Sequence, residues 1–455
     1  VEVQIAGDGE GNVVHLFERE CSLQRRHQKV VEEAPAVFLS PTLRATLLTD
    51  ACRLAKQINF RGLGTVEFLV LGDEHYFLEV NPRLQVEHPV TEMITGLDLV
   101  ELQIRIAQGN GFGFQQDDVT ATGHAIEVRL YAESPAQNFM PATGTVEFIQ
   151  FPQQHLRVES GVDSGDEVSS YYDPMIAKLI ADGTNRAEAL ERLQKGVSDT
   201  VIFGLDNNRN FLQQLLRDPD IIADNIDTGT LDRWLTGYSE TSDSEQLKKQ
   251  AAIAAVLWFG QYRVVRSTNP WLRADTFSHW ALQSPDDRPI YTFNLVQDEQ
   301  QWKIAFLKVD KDNLVSVMVD EQQFDLRLQP QSALSYLAEF TDGCVSLSAK
   351  TSDDCVYIHA LGQQSCYQVV QVVSDKQAGS ESANSVTAPM MGEIISVKVE
   401  EGESVEAGQL LIVMESMKMQ LQIEAANAGI VSSILCKAGD NVARGAVVVE
   451  VDAHE

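Results

Sequence analysis

The sequence lacks any run approaching the roughly 20 apolar residues that a membrane-crossing helix needs, which excludes a helical membrane protein. Basic residues are scarce, with 35 Lys and Arg against 66 Asp and Glu and a formal net charge of −31. So acidic a chain repels nucleic acid and anionic membranes, and neither is expected as a partner; an anionic substrate would need a local basic cluster. Arg25, Arg26, His27 and Lys29 form one. Cysteine is sparse as well. Cys21, Cys52, Cys344, Cys355, Cys366 and Cys436 form no CxxC pair and have no His at metal-ligand spacing, which argues against zinc or a disulfide framework and for a reducing compartment. An initiating Met is missing. Val1-Glu2-Val3-Gln4-Ile5 already alternates, Gly7-Asp8-Gly9-Glu10-Gly11-Asn12 reads as a turn, and a second apolar run starts at Val13. A hairpin whose first strand has no lead-in gives the expectation of an N-terminally truncated chain.

At 455 residues, with 44% hydrophobic residues, the chain calls for two to four soluble globular domains. Residues 1–105 mix strand and helix patterns and end in a helix near Asp98 to Ala107, stopped at Gly109. Residues 106–238 add strands such as Ala125 to Leu130 and an amphipathic helix from Arg186 to Val197, so the two blocks read as one α+β unit. Residues 239–374 are β-rich, with a helical stretch from Ser244 to Trp258 followed by short strand-like runs at Ile290 to Val296, Leu314 to Val319 and Cys366 to Val373. Residues 375–387 are small and polar, as a linker should be, and 388–453 form a last unit.

That last unit repeats itself. A shift of 37 residues lays Ala388 on Ala425, Gly392 on Gly429, Gly402 on Gly439, Val405 on Val442 and Gly408 on Gly445. Two similar β-halves therefore follow one another, each with a Gly-centred turn. Between them stands Met414-Glu415-Ser416-Met417-Lys418-Met419, which puts Lys418 at the hairpin joining the halves, flanked by two methionines that have no packing reason to be exposed. A lone turn lysine is ordinarily just solvated. The conjunction of repeat, linker and flanking Met residues resembles the biotinyl/lipoyl carrier family, an all-β flattened barrel of two quasi-symmetric halves. Met-Lys-Met is that family's biotin signature, where lipoyl members show Asp-Lys-Ala. The resemblance implies covalent biotin on Lys418, with Ser416 and Ala426 as small departures.

A second signal lies in Thr65 to Val70, the turn Gly72-Asp73-Glu74, and His75 to Asn81. A hairpin register pairing Glu67 with Glu79 also pairs Val66 with Val80, Phe68 with Leu78 and Val70 with Tyr76, making one face continuously apolar. It opposes two like charges, which is destabilising unless a hard divalent cation lies between them, with Asn81 as a third oxygen donor. The bland alternative is a pair of solvated glutamates. Asn81-Pro82-Arg83-Leu84-Gln85-Val86-Glu87-His88-Pro89 follows at once, and with Gln24 to Lys29 and Glu32-Glu33-Ala34-Pro35 it resembles the C-terminal half of the ATP-grasp fold of biotin carboxylase, from Val1 to about Tyr238.

The resemblance implies a set of roles. Glu67, Glu79 and Asn81 would hold Mg²⁺ or Mn²⁺ on ATP; Gln24, His27, Leu69, Glu67 and Glu79 would bind ATP, with Gln28 nearby; Lys29, Arg83, Gln85 and Val86 would bind bicarbonate. The catalytic set would be Arg83 as the bicarbonate clamp, Glu87 as the base, kept ionised by Arg83 and Lys29, and Arg129 as the cation facing the ureido oxygen of biotin. His88, His124 and Tyr171 to Pro174 read as framework; His15, His75 and His155 read as ordinary surface residues.

The expected protein is a multidomain α+β ligase: an incomplete biotin carboxylase (1–105 and 106–238), a β-rich adaptor for a carboxyltransferase subunit (239–374) and a biotin carrier (388–453). The resemblance implies the α subunit of a biotin-dependent acyl-CoA carboxylase, with the methylcrotonyl type favoured and propionyl, acetyl and geranyl substrates open, active only with the N-terminal part. Expected partners are a carboxyltransferase β subunit in a hetero-oligomer, biotin protein ligase and bicarbonate; bacterial cytoplasm is favoured over mitochondrial matrix. One rival is a non-catalytic biotinylated carrier fragment, because the ATP-clamping lysines of the family would precede Val1. Another is an ATP-grasp ligase with a lipoylated domain.

Overall fold

The computed structural model describes residues 1–26, 28–238, 244–266, 282–283, 289–297, 300–310, 313–352, 355–370, 385–388, 392–416, 419–442 and 445–453.

The N-terminal unit is built on an antiparallel sheet in the spatial order Val13–Arg19, Glu2–Asp8, Arg61–Leu71, Glu74–Asn81. Strand alternation gives its middle strands two faces. Val3, Ile5, Val66 and Phe68 point to one face, where the helix Pro41–Gln57 lays Leu43, Leu47, Leu48 and Ala51 against them. That helix starts where it does because the Ser40 side chain accepts from the Leu43 amide and Pro41 opens the first turn. On the other face Ala6, Leu16 and Leu63 pack against the helix Leu99–Ala107, which is capped by the Asp98 side chain. Farther along that same face the residues are polar. The register places Arg19 opposite Glu2, Glu2 opposite Glu67, and Glu67 opposite Glu79, a row of one cation and three carboxylates across four strands.

The hairpin expectation holds at its base and fails toward its tip. Glu67 pairs with Glu79, Val66 with Val80 and Thr65 with Asn81, but Phe68 pairs with Phe77 and Val70 with His75, in place of Leu78 and Tyr76. A bulge at Leu78 absorbs one residue. Leu78 is thereby turned out to solvent, and the Phe68 ring meets the edges of Phe77 and His75 at centroid distances of 6.4 and 5.4 Å. Three consecutive apolar residues, Tyr76 to Leu78, fit either alternation, so local pattern could not choose.

A second antiparallel sheet follows in the order Arg157–Ser160, Met175–Gly183, His124–Tyr131, Val31–Ala34, joined to the first by a bridge between Glu20 and Glu33. Ile126, Val128 and Leu130 face a core with Leu190, Leu193, Phe211 and Leu212 from the helices Arg186–Asp199 and Arg209–Leu215. The opposite face lies beneath the short helix His88–Thr95, whose Val90 and Ile94 meet Ala125 and Ile180.

The β-rich region is a closed barrel. Eight strands from Tyr291–Gln297 to Gln363–Val370 run as a meander, and the first of them pairs with the last, Asn294 opposite Val370. Inside packs the helix Ser244–Arg266: Ala251 to Ala255, Trp258 and Phe259 share one cluster with Phe293, Trp302, Ile304 and Phe306. A helix apolar on every side has to be surrounded. Its buried Gln250 is satisfied, donating to the Ala360 carbonyl and accepting from the Ser365 hydroxyl. The barrel rests on the preceding unit through Phe203 stacked on Tyr357 at 5.6 Å, Arg209 donating to the Gly362 carbonyl at 2.8 Å, and Lys350 paired with Glu147.

The C-terminal unit is two four-stranded sheets whose strand orders are the same under the 37-residue shift: Ser385–Thr387, Val447–Ala453, Gly429–Ile434, Ser404–Val405 in one, and Met419–Glu424, Leu410–Ser416, Gly392–Val397, Asn441–Val442 in the other. The repeat extends to single hydrogen bonds. Gly402 N donates to Val431 O and Gly439 N to Ile394 O, while Gly408 N donates to Ala425 O and Gly445 N to Ala388 O. All four glycines have φ between 78° and 89°, where a side chain would be strained. Met140, from the second sheet unit, packs against this unit's core.

Candidate functional site

The polar row on the first sheet and the buried face of the second meet at Lys29. Its ammonium lies 2.5 Å from Glu2 Oε2, 2.5 Å from Glu87 Oε1 and 3.5 Å from Glu67 Oε1. Burial works against the charge on Lys29, but Cys21, Glu2 and Glu87 around it outweigh burial and hold the ammonium well above its usual range. Glu2 is fully buried. Desolvation alone would raise its carboxyl, yet the charges of Arg19 and Lys29, with the hydrogen bonds both donate, pull it down to about 2.

Arg19, wholly buried, ties this row together: Nε donates to Glu2 Oε1 at 2.7 Å, Nη1 to Gln4 Oε1 and Thr91 Oγ1 at 2.9 Å, and Nη2 to Gln85 Oε1 at 3.1 Å. Gln85 in turn donates to Glu67 Oε1 at 3.3 Å and accepts from Thr65 Oγ1 at 2.8 Å. Glu87 stands at the start of the helix His88–Thr95, fixed there because the Gln85 carbonyl meets His88 Nδ1 at 2.8 Å and the Val86 carbonyl accepts from Lys178 Nζ at 3.0 Å. Its second oxygen faces Arg129 Nη2 at 3.1 Å. Arg129 also donates through Nε to Glu32 Oε1 at 2.7 Å. Glu87 is thus flanked by Lys29 and Arg129. The expectation that Arg83 shares this task is not met: Arg83 is exposed and turns Nη1 toward the Leu84 carbonyl at 3.3 Å, because the bend after Asn81 faces it outward.

Glu67 and Glu79 converge as the hairpin requires. Asn81 Nδ2 lies 2.9 Å from Glu67 Oε1 and 3.2 Å from Glu79 Oε1. Two carboxylate oxygens that share one amide could hold a hard cation, and a half-turn of the Asn81 amide would present Oδ1 to the same point, giving three of the oxygen donors a divalent ion takes. Two other clusters could hold a metal among the described residues, Glu2 with Cys21 and Glu87, and His88 with Glu92 and Glu159. Both are already engaged by cations, Lys29 in the first and Arg157 in the second.

The run Arg25 to Lys29 does not form a single basic patch. Gln24 pairs with Lys29 and Arg25 with Gln28 in a tight hairpin that has Arg26 at φ 48°, so neighbouring side chains diverge. Arg25 is buried, pairs with Glu133 at 3.2 Å and lies over the Phe139 ring at 3.9 Å. Arg26 meets Asn138 at the surface. His27 lies outside the described residues. Leu69, on the same face as Glu67, is 45% exposed beside the open sheet. His124 is buried against Glu33 at 2.8 Å, as a framework residue should be, and His75 is half-buried and bound to Asp50 at 2.9 Å, so it is not an ordinary surface histidine.

Lys418 also lies outside the described residues. The strands on either side pair Ser416 with Met419, so Met417 and Lys418 are the two residues between the paired ends. Sequence reasoning missed Glu2, Arg19, Glu32, Glu127 and Lys178. Glu2 and Lys178 alternate within apolar runs, Val1 to Ile5 and Met175 to Ile180, and a charge in such a run was the signal.

Comparison with known proteins bears on the units of the chain. Residues 1–113 match the family described as carbamoyl-phosphate synthase L chain, ATP binding domain; residues 127–233 match the biotin carboxylase C-terminal domain; residues 384–451 match the family described as biotin-requiring enzyme. The methylcrotonoyl-CoA carboxylase subunit alpha of Glycine max is 36% identical over 99% of this chain and 67% of its own length. The Mus musculus propionyl-CoA carboxylase alpha chain is 34% identical over 99% of this chain and 63% of its own. The chain spans about two thirds of the length of these curated relatives. Among solved structures, the biotin carboxylase domain of the Hydrogenobacter thermophilus 2-oxoglutarate carboxylase, in complex with MgADP and bicarbonate, is 40% identical with a TM-score of 0.51, covering 52% of this chain and 54% of that one. Rhizobium etli pyruvate carboxylase is 36% identical with a TM-score of 0.53, covering 58% of this chain and 27% of that one. The expected fold stands: the C-terminal part of an ATP-grasp biotin carboxylase, a β-rich domain and an all-β carrier. The chain belongs to the family of biotin-dependent acyl-CoA carboxylase alpha subunits, which includes the methylcrotonoyl- and propionyl-CoA carboxylases.

Proposed function

We propose that this chain supplies the bicarbonate-activating and biotin-bearing parts of an ATP-dependent biotin carboxylase that serves an acyl-CoA carboxyltransferase subunit. The observation that carries the reading is that Lys29 contacts both Glu87, whose other oxygen meets Arg129, and Glu67, which shares the Asn81 amide with Glu79. Bicarbonate is an anion with one removable proton. It would lie against Lys29, Gln85, the Val86 backbone and, after a turn of its exposed side chain, Arg83. Glu87 would take the proton, held in orientation by Lys29 and Arg129 on its two oxygens. Lys29 would then hold the new negative charge. Arg129, locked by Glu32, would offer a fixed cation to an oxygen that becomes negative as a proton leaves its neighbouring nitrogen.

Glu67, Glu79 and Asn81 would hold Mg²⁺ or Mn²⁺, which when bound neutralises phosphate charge. Gln24, His27 and Leu69 would line the nucleotide. Biotin attached at Lys418 by a biotin protein ligase would supply a ureido nitrogen that accepts the carboxyl group; what supports this lysine is its place in the sequence between the paired ends Ser416 and Met419. We assign residues 1–105 and 106–238 to the carboxylase, 239–374 to the partner contact and 388–453 to the carrier. We favour 3-methylcrotonyl-CoA over propionyl-, acetyl- and geranyl-CoA, a hetero-oligomer with the carboxyltransferase, and bacterial cytoplasm over mitochondrial matrix, although the relatives named above are mitochondrial proteins. The test is to express the full-length protein with its carboxyltransferase and measure fixation of labelled bicarbonate on these four acyl-CoAs. Label is expected on one of them; biotinylated protein that labels none refutes the assignment.

A further inference from the structure

The sheet face beneath the helix His88–Thr95 holds more acid than its cations serve. Glu32 and Glu127 stand directly opposite one another across the antiparallel ladder, and on the same face Arg129 stands opposite Lys178 in the next ladder. Directly opposed residues bring their Cβ atoms to about 5 Å, so these two carboxyl groups are neighbours. Both are fully buried. Glu32 gives Oε1 to Arg129, while Glu32 Oε2 and both oxygens of Glu127 have no hydrogen-bond partner.

The charged groups facing Glu127 are Glu32 on the strand Val31–Ala34, Arg129 on its own strand, Lys178 on the strand Met175–Gly183, and Glu87 at the start of the covering helix. The other face of its strand is apolar, with Ile126, Val128 and Leu130 against the helices Arg186–Asp199 and Arg209–Leu215. Neither cation is available to it. Arg129 is taken by Glu32 and Glu87, and Lys178 by Glu159 and the Val86 carbonyl.

An ionised carboxylate cannot be left in that position, because burying it without a counter-charge or donor costs several kcal/mol. One proton removes the difficulty. A protonated Glu127 carries an O–H that can reach the empty Glu32 Oε2 by a side-chain rotation, and Glu32 then remains the anion that grips Arg129. Burial, with the charge of Glu32 added to it, holds the Glu127 carboxyl well above the usual carboxylate range, and burial raises Glu32 to about 7 against the pull of Arg129.

We propose that Glu127 is a neutral carboxylic acid in the folded protein, and that by donating to Glu32 it is a positioning residue for the Arg129 guanidinium. The proton is taken up from solvent on folding. Arg129 already faces two carboxylates, Glu32 and Glu87, and a third anion would deepen the negative field where the proposed carboxylation needs a cation; this clause alone rests on the proposed function.

The test has two arms. Infrared spectroscopy of the full chain labelled with ¹³C-carboxyl glutamate is expected to show protonated carboxyl absorption at neutral pH that Glu127→Gln diminishes by one group, Glu32 and Glu133, both raised to about 7, contributing the rest. Absorption absent at neutral pH overturns the proposal, and so does absorption that Glu127→Gln leaves undiminished. This arm needs no turnover, so it stands or falls apart from the carboxylase reading. The second arm uses the full-length enzyme without attached biotin, supplied with free biotin as the substrate. Glu127→Leu, which cannot donate, is expected to lower kcat/KM for biotin by about tenfold or more with the KM for ATP unchanged, and Glu127→Gln, whose amide donates as the acid does, to restore most of it. Equal losses in both variants refute the positioning role.

Discussion

Replacing Glu2 by Gln tests the charge network at its most buried point. Burial raises the Glu2 carboxyl, but Arg19 and Lys29 outweigh it and bring the group from 4.5 down to about 2. A fall of that size corresponds to about 3 kcal/mol of stability at neutral pH. The sign follows from linkage. A carboxyl depressed by folding stabilises the protein above its unfolded value, and that contribution is lost as the pH falls from about 4.5 through about 2. Glu2→Gln removes one anion shared by two buried cations, so it should destabilise the first sheet by about 3 kcal/mol at pH 7, and the gap from the parent should close in acid. Global unfolding of so many units is not two-state, so the assay is hydrogen exchange of the amides in Glu2–Asp8, which reports opening of that sheet alone. Exchange at neutral pH should speed up by about a hundredfold, since each 1.4 kcal/mol is a factor of ten. A difference below about tenfold, or one that is unchanged between neutral pH and about pH 3, would refute the reasoning.

Other consequences are as direct. A methyl group on Gly204 would lie 2.1 Å from the Thr145 carbonyl at a φ of +112°, so Gly204→Ala should cost about 3 kcal/mol or more and lower the melting temperature of the second sheet unit by several degrees in calorimetry. Glu87→Gln keeps the shape and removes the proposed base; the bicarbonate-dependent rate should fall by about a hundredfold or more with the fold retained by circular dichroism. Lys418→Arg preserves charge but offers no acylable amine, and should abolish the streptavidin signal of the expressed chain. Phe203→Ala removes the ring stacked on Tyr357 and should make the junction between barrel and second sheet unit more open to limited proteolysis, leaving each unit folded.

What could be read from the sequence was whatever repeats at short range. The carrier halves were legible down to individual glycines because each turn demands a positive φ and the demand recurs 37 residues later. The base of the Glu67–Glu79 hairpin was legible because Val66 and Val80 fix the alternation beside it. Barrel closure was not, since the pairing of Asn294 with Val370 is set by the whole circuit of strands and not by either strand. The helix inside the barrel did leave a signal, the unbroken apolar run Ala251 to Val256, which an exposed helix could not carry.

Buried charge was the hardest part to read, for a physical reason. A Glu or Lys in an alternating strand marks the polar face, and polar faces usually meet water. Here the polar faces of two sheets meet each other and the segment Gln85 to Thr95, so Glu2, Glu32, Glu127 and Lys178 are enclosed and must be neutralised locally. Lys29 is the node of that enclosure, and its three contacts are unequal: 2.5 Å to Glu2 and Glu87, 3.5 Å to Glu67. The weak one points toward the hairpin carboxylates. A cation arriving at Glu67 and Glu79 would therefore displace Lys29 only from its loosest partner, while Glu2, itself clamped by Arg19, keeps the ammonium beside Glu87. Glu2 thus anchors a lysine between two acids with different tasks, and removing it should disturb Glu87 as much as the sheet.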